Sequence, residues 1–571
     1  MAKLVPRPFQ REAVDALYSY WAHGGGNGLL VIPTGGGKSF ILALICMELL
    51  ARYPHMRIGI VTDVKELIAQ NAAELIGVWQ QAPVGIYSAG LGRRDLRSRI
   101  LFMGIQSVHS KVDLLGKFDL LLIDEAHMIP RKADTMYGRF IDSCRKIYPQ
   151  MRVVGLTATP YRLDSGRLDR GDGRLFDDVV YEAFVGDLIA DGYLSPLFSK
   201  ATLARIDTEG LHRRDGDFIK SEMDERARIP SVVEMAVNEI VELGANRAGW
   251  LAFCTSIEHA NEVRNQIREH GFSCEAVHSQ TPGRDRIIKQ YKAQKIRCLT
   301  SVGVLTKGFN APHIDLLAML RPTLSTGLYV QMVGRAFRLA PGKRNALILD
   351  FAGNVSRHGP VDAVSPQRDG GGGPAPKDKD EVAEGETGLK AKECPDCQLL
   401  VPLHEQKCAC GHEWPMAPAR HEARALNVAI LSSELAEQEW HEVTDVEFSQ
   451  HNKFGMPPSL RVNYVVAGGE TYSKWVFFEG RGRARAEAET WWKKYGANHP
   501  VPNTVAEALT RKDELRGTTH VRLKPPEPGQ KHPQIVSARL VPRQLEAANE
   551  TDDAPQHACG LRHLLLLPPS G

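Results

Sequence analysis

Four short motifs along the chain carry residue types that bind and hydrolyse phosphate compounds. They are Pro33-Thr34-Gly35-Gly36-Gly37-Lys38-Ser39, Asp124-Glu125-Ala126-His127, Thr157-Ala158-Thr159-Pro160 and Gln331-Met332-Val333-Gly334-Arg335-Ala336-Phe337-Arg338. Together they offer a glycine-rich phosphate loop, a pair of acids, a loop of small residues and arginines that stabilise phosphoryl charge. Each motif alone is weak evidence, but the ordered set predicts hydrolysis of a nucleoside triphosphate between two lobes.

The first motif is a glycine turn between an apolar run and an apolar helical pattern. Glycines let backbone N–H groups approach phosphate oxygens, and the N-terminus of the following helix favours negative charge. We expect Lys38 to reach the β- and γ-phosphates and Ser39 to ligate Mg²⁺. Ile32 stands where the general phosphate-loop pattern has its first glycine, so an ordinary strand–helix loop is the alternative. The nucleotide-binding candidates in this loop are Thr34, Gly35, Gly36, Gly37, Lys38 and Ser39.

The second motif places two acids directly after the apolar run at 120–123. Ligands of open α/β sheets bind beyond the carboxyl ends of the strands, which is where these acids fall. We expect Asp124 to join Ser39 on Mg²⁺ and Glu125 to polarise the attacking water. A solvated strand end is the alternative for two adjacent acids. We expect His127 to couple hydrolysis to movement rather than to take part in catalysis.

The last motif carries arginines at helical spacing. Gln331 and Arg335 are one turn apart, and Arg338 follows three residues later. Arginine contacts to a phosphoryl group in transfer are worth about 10³–10⁵ in rate. A solvated basic helix face is the alternative. The nearby segment 306–312 favours the phosphate interpretation, because its turn at Gly308 can present backbone amides to a phosphate chain.

The elements that must position these motifs alternate between apolar strands and helical patterns. Candidate buried strands lie at 28–32, 58–62, 100–103, 120–123 and 153–156, and a second set lies at 250–254, 274–277, 298–301, 316–320 and 346–350. This alternation predicts an α/β fold with parallel sheets. A C-terminal region alternates like strands at 462–466 and 472–478 and then like a helix at 483–495.

These patterns divide the chain into seven segments. The predicted order is a nucleotide-binding lobe, a connecting segment, a second lobe, a flexible linker, a zinc-binding module, a small α+β accessory domain and a disordered tail. The linker is rich in glycine, proline and charge and cannot bury a core. The predicted bounds are 1–195, 196–248, 249–358, 359–392, 393–415, 420–525 and 526–571.

The bulk composition is that of an ordinary soluble chain. Its 571 residues carry a net charge of only +3, so any track for nucleic acid must be local. The N-terminal residues lack an apolar signal core. The longest apolar helical stretch, at 40–50, is shorter than the roughly 20 residues that a membrane span needs. We therefore expect a cytoplasmic protein with no membrane partner.

Four of the ten cysteines form the pattern Cys394-x₂-Cys397-x₁₀-Cys408-x-Cys410. Two close pairs of thiolates on turns fit a tetrahedral Zn²⁺ site of the structural type. The second pair is Cys-x-Cys rather than the commoner Cys-x₂-Cys, so His412 or His404 is an alternative fourth ligand.

Five of the eight tryptophans lie beyond Gly411, next to basic residues that begin at Arg481. Interleaved aromatic and basic residues can stack bases and neutralise phosphates. The alternative, which we favour, is that the tryptophans form the core of a small domain. For the basic residues, a nucleic-acid or partner contact and a solvated face remain equally open.

Residues 5–355 resemble superfamily 2 helicases of the DEAH type. The resemblance implies two tandem RecA-like lobes with ATP and Mg²⁺ between them, and arginine fingers at Arg335 and Arg338. The string Arg7-Pro8-Phe9-Gln10 resembles the adenine-reading element, in which Arg7 and Gln10 contact the base. The coupling residues implied are His127, Thr157, Thr159 and Asn310, and the nucleic-acid contacts implied are Lys65, Gln106, Ser107 and Thr306.

Three further strings are similar to the RadD family of helicase-like DNA repair ATPases, in which a cysteine zinc module follows the motor. They are Val64-Lys65-Glu66-Leu67-Ile68-Ala69-Gln70-Asn71, Gly192-Tyr193-Leu194-Ser195-Pro196 and Arg338-Leu339-Ala340-Pro341-Gly342-Lys343. Asn310 stands where that family usually carries Asp, which removes a charge from a coupling residue. The C-terminal part is also shorter here.

The resemblance implies an ATP-dependent helicase or translocase that acts on DNA in repair or recombination. Repair or replication proteins are the implied partners of the C-terminal region. Two other functions fit the same residues. One is a duplex translocase or remodeller that separates no strands, and the other is a nucleic-acid scaffold switched by ATP without useful turnover.

Overall fold

The computed structural model describes two α/β lobes, part of a cysteine module and a C-terminal α+β domain. The described residues are 5–130, 134–162, 166–200, 202–214, 217–306, 308–362, 391–396, 399–402, 408, 410–413, 440–452, 457–480, 483–495, 500–524 and 533–541. The predicted linker at 359–392 falls almost entirely outside them.

Lobe 1 is an eight-stranded sheet in the order β10-β1-β7-β6-β2-β5-β3-β4, parallel except for the short β4. The predicted strands of this lobe are confirmed to within one or two residues. Near-continuous burial explains their apolar sequences, since helices cover both faces. The strands are β1 (Gly28–Val31), β2 (Ile58–Thr62), β3 (Val84–Ser88), β4 (Arg93–Arg94), β5 (Ile100–Gly104), β6 (Leu120–Asp124), β7 (Arg152–Thr157), β8 (Tyr161–Arg162), β9 (Gly166–Arg167) and β10 (Asp178–Glu182).

The helices of lobe 1 begin close to the carboxyl ends of the strands that precede them. This geometry places the loops with the sequence motifs along one edge of the sheet. The helices are α1 (Pro8–Ala22), α2 (Lys38–Arg52), α3 (Lys65–Val78), α4 (Ile105–Val108), α5 (Val112–Leu115), α6 (Met136–Ile147) and α7 (Val185–Ala190).

Lobe 2 is a six-stranded parallel sheet in the order β11-β18-β17-β14-β16-β15. Its second set of predicted strands is confirmed to within two residues. The strands are β11 (Leu197–Ser199), β12 (Arg213–Arg214), β13 (Asp217–Phe218), β14 (Gly249–Phe253), β15 (Cys274–Val277), β16 (Cys298–Ser301), β17 (Ile314–Met319) and β18 (Ala346–Asp350). The helices are α8 (Lys220–Ala227), α9 (Pro230–Gly244), α10 (Ile257–Glu269), α11 (Arg284–Lys292), α12 (Thr326–Val333) and α13 (Asn354–His358).

The segment 196–248, predicted to connect the lobes, belongs largely to lobe 2. Its strand β11 pairs in parallel with β18 at the edge of the lobe 2 sheet. Its helix α9 buries Val233, Val237 and Ile240 in the same core cluster as Trp250. The mixed charge of the segment suggested a connector, but the apolar face of α9 is what fixes it to the lobe.

The C-terminal domain is a five-stranded antiparallel sheet in the order β23-β22-β21-β24-β25, with two helices against it. Its strands are β21 (Trp440–His451), β22 (Ser459–Val466), β23 (Thr471–Val476), β24 (Thr518–Lys524) and β25 (Gln534–Leu540), after a hairpin of β19 (Ala391–Glu393) and β20 (Leu400–Pro402). Its helices are α14 (Arg483–Tyr495) and α15 (Val505–Thr510). The helix predicted at 483–495 is confirmed.

One prediction for this region changes, and another is confirmed. Strand β25 lies within 526–571, the predicted disordered tail, and it pairs with β24, so the domain extends to Leu540. Residues 542–571 lie outside the described residues. Trp491 and Trp492 are buried in the domain core, which confirms the structural interpretation for this pair.

The C-terminal domain docks on lobe 1 through charges of opposite sign. Lys493 forms an ion pair with Asp178, and Lys494 Nζ lies 2.8 Å from Asp187 Oδ2. Arg539 Nη2 lies 3.2 Å from Asp191. These basic residues are thus engaged within the chain. Within lobe 1 the domain contacts α7, which carries Asp187, and the start of β10, which carries Asp178.

None of the described helices combines the length and the apolar character that a membrane crossing requires.

Candidate nucleotide-hydrolysis site

The phosphate loop joins β1 to α2 and depends on two glycines with positive φ. Gly35 has φ 90° and Gly37 has φ 83°, a backbone region that other residues rarely adopt. A Cβ on Gly37 would also lie 2.5 Å from Gln10 Nε2. The loop therefore needs glycine for both conformation and space, and it delivers Lys38 and Ser39 to the first turn of α2.

Gln10 and Arg7 stand at the start of α1, beside this loop. The buried Gln10 amide donates to the Gly36 carbonyl at 3.0 Å, which ties α1 to the phosphate loop itself. Arg7 Nη1 donates to the Tyr193 carbonyl at 3.3 Å, and its guanidinium lies 5.3 Å from the centre of the Tyr193 ring. The Phe9 and Tyr193 rings lie 5.4 Å apart. Tyr193 thus contacts Arg7, one of the two predicted base-contacting residues.

The candidate metal ligands lie on both sides of one amide group. Ser39 Oγ donates to Asn71 Oδ1 at 2.7 Å, and Asn71 Nδ2 donates to Asp124 Oδ2 at 2.7 Å. Asp124 is 3% exposed, and Asn71 is 2% exposed. A hydroxyl and a carboxylate oxygen are the hard ligands that Mg²⁺ prefers. Because a single side chain bonds both, the two candidate ligands are held on the same part of the cleft.

Burial makes the Asp124 carboxyl a weaker acid than an exposed aspartate. Desolvation, and then the neighbouring charge of Glu125, raise its pKa to about 6, against the attraction of Lys38 and the hydrogen bond from Asn71. A divalent cation would favour the ionised form of this group. The carboxylate is therefore expected to need a cation partner in the working site.

Glu125 has a left-handed backbone, with φ 55°, which is rare for a residue with a side chain. Its carboxylate lies 3.6 Å from Lys38 Nζ and 3.5 Å from His127 Nδ1. Strained backbone of this kind clusters at functional sites. The turn holds Glu125 between the phosphate-loop lysine and the histidine, as a base for an attacking water requires.

His127 joins three of the predicted motifs. Its Nδ1 lies 2.9 Å from Thr157 Oγ1, and its Nε2 lies 2.8 Å from Gln331 Nε2 in lobe 2. Because the Thr157 hydroxyl donates to the Thr159 carbonyl at 2.8 Å, it accepts from His127. His127 Nδ1 therefore donates to Thr157, and its Nε2 faces the Gln331 amide of lobe 2.

The arginine motif differs from the expected continuous helix. Helix α12 ends at Val333, and Arg335 and Arg338 follow in a turn. Glycine is required at 334, because a Cβ there would lie 2.6 Å from Thr34 Cβ of lobe 1. The motif therefore packs directly on the phosphate loop across the cleft.

Both arginines bind backbone carbonyls of the loop that precedes β17. Arg335 donates to Thr306 O at 3.0 Å and to Phe309 O at 2.6 Å, and Arg338 donates to Phe309 O at 2.6 Å. Burial lowers the pKa of Arg335 to about 9 and that of Arg338 to about 10. The carboxylates that oppose this effect are Glu125 and Glu74, both in lobe 1.

The predicted nucleic-acid contacts are only partly brought together. Lys65 and Gln106 are exposed and follow the neighbouring strands β2 and β5, so they share one edge of lobe 1. Ser107 Oγ accepts from the Ala89 amide at 2.9 Å. Thr306 is 6% exposed, and its carbonyl is bound to Arg335.

The loop after Thr306 lies against lobe 1. A Cβ on Gly308 would lie 3.3 Å from Glu66 Cβ, and Glu66 Oε1 lies 2.9 Å from Arg284 Nη2 of lobe 2. Asn310 Oδ1 is buried without a hydrogen-bond partner among the described residues. The loop therefore contacts lobe 1 at α3. Its residue 310 is the neutral Asn310, so that position contributes no charge.

Sequence reasoning missed Asn71, Tyr193 and Gly334 as site residues. Asn71 and Tyr193 lie within strings that resemble a known family, but nothing in their types indicated a role. Gly334 lies within the arginine motif itself. A glycine before an arginine on an apolar helix was a usable signal, since glycine there is unfavourable unless space requires it.

The cysteine module is described in part. The Sγ atoms of Cys394, Cys408 and Cys410 all lie within 4.8 Å of one another, and those of Cys394 and Cys410 are 3.6 Å apart. Tetrahedral Zn–S bonds of about 2.3 Å place sulfur atoms about 3.8 Å apart, so these three fit the ion. Cys397 and His404 lie outside the described residues, and His412 Nδ1 lies 2.9 Å from Asp396. The fourth ligand remains open.

Two known families match the chain. The family described as type III restriction enzyme, res subunit, matches residues 3–162, and the helicase conserved C-terminal domain matches residues 233–340. The second match begins within α9, in agreement with its place in lobe 2. The two matches fall on lobe 1 and lobe 2 respectively, and each lobe is similar to the family that it matches.

Similar proteins come from yeasts and a phage. The protein irc3 of Schizosaccharomyces pombe, named as a mitochondrial ATP-dependent helicase, is 28% identical over 365 residues, which are 62% of this chain and 58% of that protein. The ATP-dependent helicase IRC3 of Saccharomyces cerevisiae is 25% identical, with 62% and 52% covered. A 51.5 kDa protein of a Lactococcus phage is 26% identical, with 76% and 87% covered. The chain thus spans little more than half of the two yeast proteins.

Proposed function

We propose that the chain hydrolyses ATP to move along DNA and to separate its strands, in DNA repair or recombination. The observation that carries the proposal is the 2.8 Å contact between His127 Nε2 and Gln331 Nε2. It joins the acid motif of lobe 1 to the arginine motif of lobe 2. Because the residues for hydrolysis are divided between the two lobes, each turnover would change the position of one lobe relative to the other. The names of the two yeast relatives support the same activity.

Each residue of the cleft has a role in this chemistry. Glu125 would orient and polarise the attacking water, while Lys38 and the two arginines would stabilise charge on the γ-phosphoryl group. Ser39 and Asp124 would hold Mg²⁺, which neutralises phosphate charge when bound. Arg7, Gln10 and Tyr193 would hold the base.

The arginines also explain how hydrolysis can move nucleic acid. Arg335 holds the carbonyls of Thr306 and Phe309, so the loop is tied to the same guanidinium that would meet the phosphate. When the arginine engages phosphate or releases it, these hydrogen bonds must adjust. The loop would pass that change to the strand, held in part by Lys65 and Gln106 through phosphate contacts.

The test is ATP hydrolysis with single-stranded DNA, duplex DNA, forked DNA, RNA or no nucleic acid. We expect DNA to stimulate turnover, and Glu125→Gln to lower the stimulated rate by about 10²–10⁴. Lys38→Ala is expected to abolish turnover, because it removes the charge that contacts the phosphates. Normal stimulated hydrolysis in both variants, with their folding intact, would contradict the proposal.

A second assay separates the possible movements. Displacement of a paired strand supports a helicase, whereas displacement of a triplex-forming strand without unwinding indicates a duplex translocase. ATP binding that changes DNA affinity without steady turnover would indicate a switched scaffold. Salt dependence gives a further check, since binding through phosphates weakens by about 0.7 log unit in affinity per log unit of salt for each contact on single strands.

The C-terminal regions complete the proposal. We propose one structural zinc ion on Cys394, Cys408 and Cys410 with Cys397 or a histidine, and repair or replication proteins as partners of the C-terminal domain. Metal analysis of the purified chain should find about one zinc per chain. Cys408→Ser should lose it, and an unchanged zinc content in that variant would exclude the site.

A further inference from the structure

Asn71 lies at a position in the cleft that neither its type nor its motif indicated. It stands on α3, is 2% exposed, and bonds Ser39 and Asp124 at 2.7 Å each. These two residues belong to different motifs, 85 positions apart. The side-chain amide is therefore the direct link between the phosphate loop and the acid pair.

An amide is suited to this link because it carries both a donor and an acceptor. The Asp124 carboxylate can only accept when ionised, so it must receive an N–H from Asn71. The carbonyl oxygen of Asn71 is then left for the proton of the Ser39 hydroxyl. This assignment leaves lone pairs on both the hydroxyl oxygen and the carboxylate, so neither hydrogen bond competes with metal coordination.

We propose that Asn71 is a positioning residue of the Mg²⁺ site, which orients Ser39 and Asp124 before the ion arrives. The proposal deepens the proposed function and rests on its assignment of these two ligands. Residues that hold metal ligands from behind typically change metal affinity by 10–100-fold when removed. Asn71 accounts for the orientation of two ligands at once, which packing alone would not require.

The neighbouring Gln70 provides a matched control. It lies on the same helix, one residue earlier, and its amide donates to Glu74 Oε1 at 2.8 Å instead of to the site. Gln70→Ala therefore removes an amide of the same chemistry from α3 without touching Ser39 or Asp124. Asn71→Ala removes both hydrogen bonds, and Asn71→Leu removes them while keeping most of the side-chain volume.

The experiment measures metal binding rather than turnover. A fluorescent ATP analogue is bound to the full chain without divalent cation, and Mn²⁺ is then titrated as a Mg²⁺ substitute with magnetic resonance detection of free Mn²⁺. We expect metal-free nucleotide affinity to be unchanged in both Asn71 variants. The Mn²⁺ affinity of the nucleotide complex should fall 10–100-fold, while Gln70→Ala matches the wild type.

Two results would overturn the inference. One is a wild-type Mn²⁺ affinity in both Asn71 variants, and the other is an equal loss of metal-free nucleotide binding, which would indicate a general packing role. Thermal unfolding of each variant checks that the fold is retained, and Asn71→Leu keeps the test valid if Asn71→Ala does not fold. Because no hydrolysis is needed, a chain without helicase activity would still give a decisive answer about Asn71.

Discussion

Lobe 1 and lobe 2 hold their charged cleft residues with different partners. In lobe 1, Lys38 Nζ lies 3.6 Å from Glu125 Oε1, and Asp124 accepts a hydrogen bond from Asn71. In lobe 2, Arg335 and Arg338 donate to backbone carbonyls, and the described residues give neither arginine a carboxylate partner within ion-pair distance. One lobe balances its charges internally, and the other presents buried cations.

The difference indicates which lobe depends on the substrate. A buried cation is costly without an anion, and burial accordingly lowers the pKa of both arginines. The carboxylates that attract them, Glu125 and Glu74, lie across the cleft. A triphosphate would supply the missing negative charge. In the proposed mechanism, lobe 1 would bind the nucleotide alone, and lobe 2 would respond to it.

The largest effect should come from Arg335→Ala. This change removes transition-state stabilisation, and we expect kcat to fall by about 10³–10⁵. Nucleotide binding by lobe 1 should change little, because Lys38 and the phosphate loop remain. Steady-state kinetics with a separate binding titration would measure both quantities.

Arg335→Lys is the control for charge alone. A lysine cannot hold two carbonyls in a planar fork, so it should recover little of the lost rate. The comparison of the lobes would fail if Arg335→Ala weakened nucleotide binding as much as it lowered kcat.

The next largest effect should be a loss of stability of lobe 2 at acid pH. Desolvation lowers the pKa of His259 from 6.5 to about 4 and that of His358 likewise. The unfolded chain takes up these protons as the pH falls below about 6.5, whereas folded lobe 2 does not until about pH 4. Stability is therefore lost as the pH falls through that window, by about 2 kcal/mol per histidine at pH 5.

Hydrogen exchange at pH 7 and pH 5 would measure this effect for peptides of β14 to β16. The Thr255 hydroxyl donates to Asp224 Oδ1 at 2.7 Å and lies 2.8 Å from His259 Nδ1, so it accepts from the histidine. His259→Asn keeps a donor for this hydroxyl, but it cannot titrate. The variant should lose about 2 kcal/mol less between the two pH values. Equal losses in variant and wild type would exclude His259 as the cause.

A smaller effect is expected at the contact between the lobes. His127→Ala removes a hydrogen bond worth about 0.5–1.5 kcal/mol, and with it the direct link to Gln331. DNA-stimulated ATP hydrolysis should fall by at most about tenfold, with basal hydrolysis less affected. Gln331→Ala removes only the contact between the lobes, whereas His127→Ala also removes the contact with Thr157, so Gln331→Ala should give a loss no larger than that of His127→Ala. The double variant should be no worse than His127→Ala. Additive losses would show that the two residues act separately.

The smallest effect should come from the outer face of lobe 1. Lys494→Glu reverses one of the ion pairs with the C-terminal domain, each of which is worth about 0.2–1 kcal/mol. Limited proteolysis should detect earlier cleavage between the domain and the lobes. Lys512→Glu makes the same charge change at an exposed position of that domain and should behave as the wild type. Faster cleavage in both variants would indicate a general effect of charge.

The sequence predicted the strands and the positions of the cleft motifs well. Apolar runs form the buried strands of a parallel sheet, and the carboxyl ends of those strands mark one edge of it. Strand β6 and the acids that follow it are the clearest case. Residues such as Asn71 were beyond reach, since their roles arise from side chains of distant motifs meeting in space. The need for glycine at 334 was missed because helical spacing does not report a close approach by Thr34 from the other lobe.

The C-terminal part was harder for a different reason. Polar, proline-rich sequence at 526–571 favoured disorder, yet β25 is stabilised by its partner strand β24, which local composition cannot reveal. The charges of α14 were equally ambiguous. Whether a lysine meets solvent, phosphate or Asp187 depends on which surface the domain covers.

Helix α7 connects the surface that contacts the C-terminal domain to Tyr193, which contacts the proposed base-binding residue Arg7. On one side Asp187 binds Lys494, and the Ser537 hydroxyl donates to the same carboxylate at 2.5 Å. Six residues beyond Asp187, Tyr193 meets Arg7. A force applied to the C-terminal domain would therefore reach Arg7, at the start of α1, through one short helix and the turn that follows it.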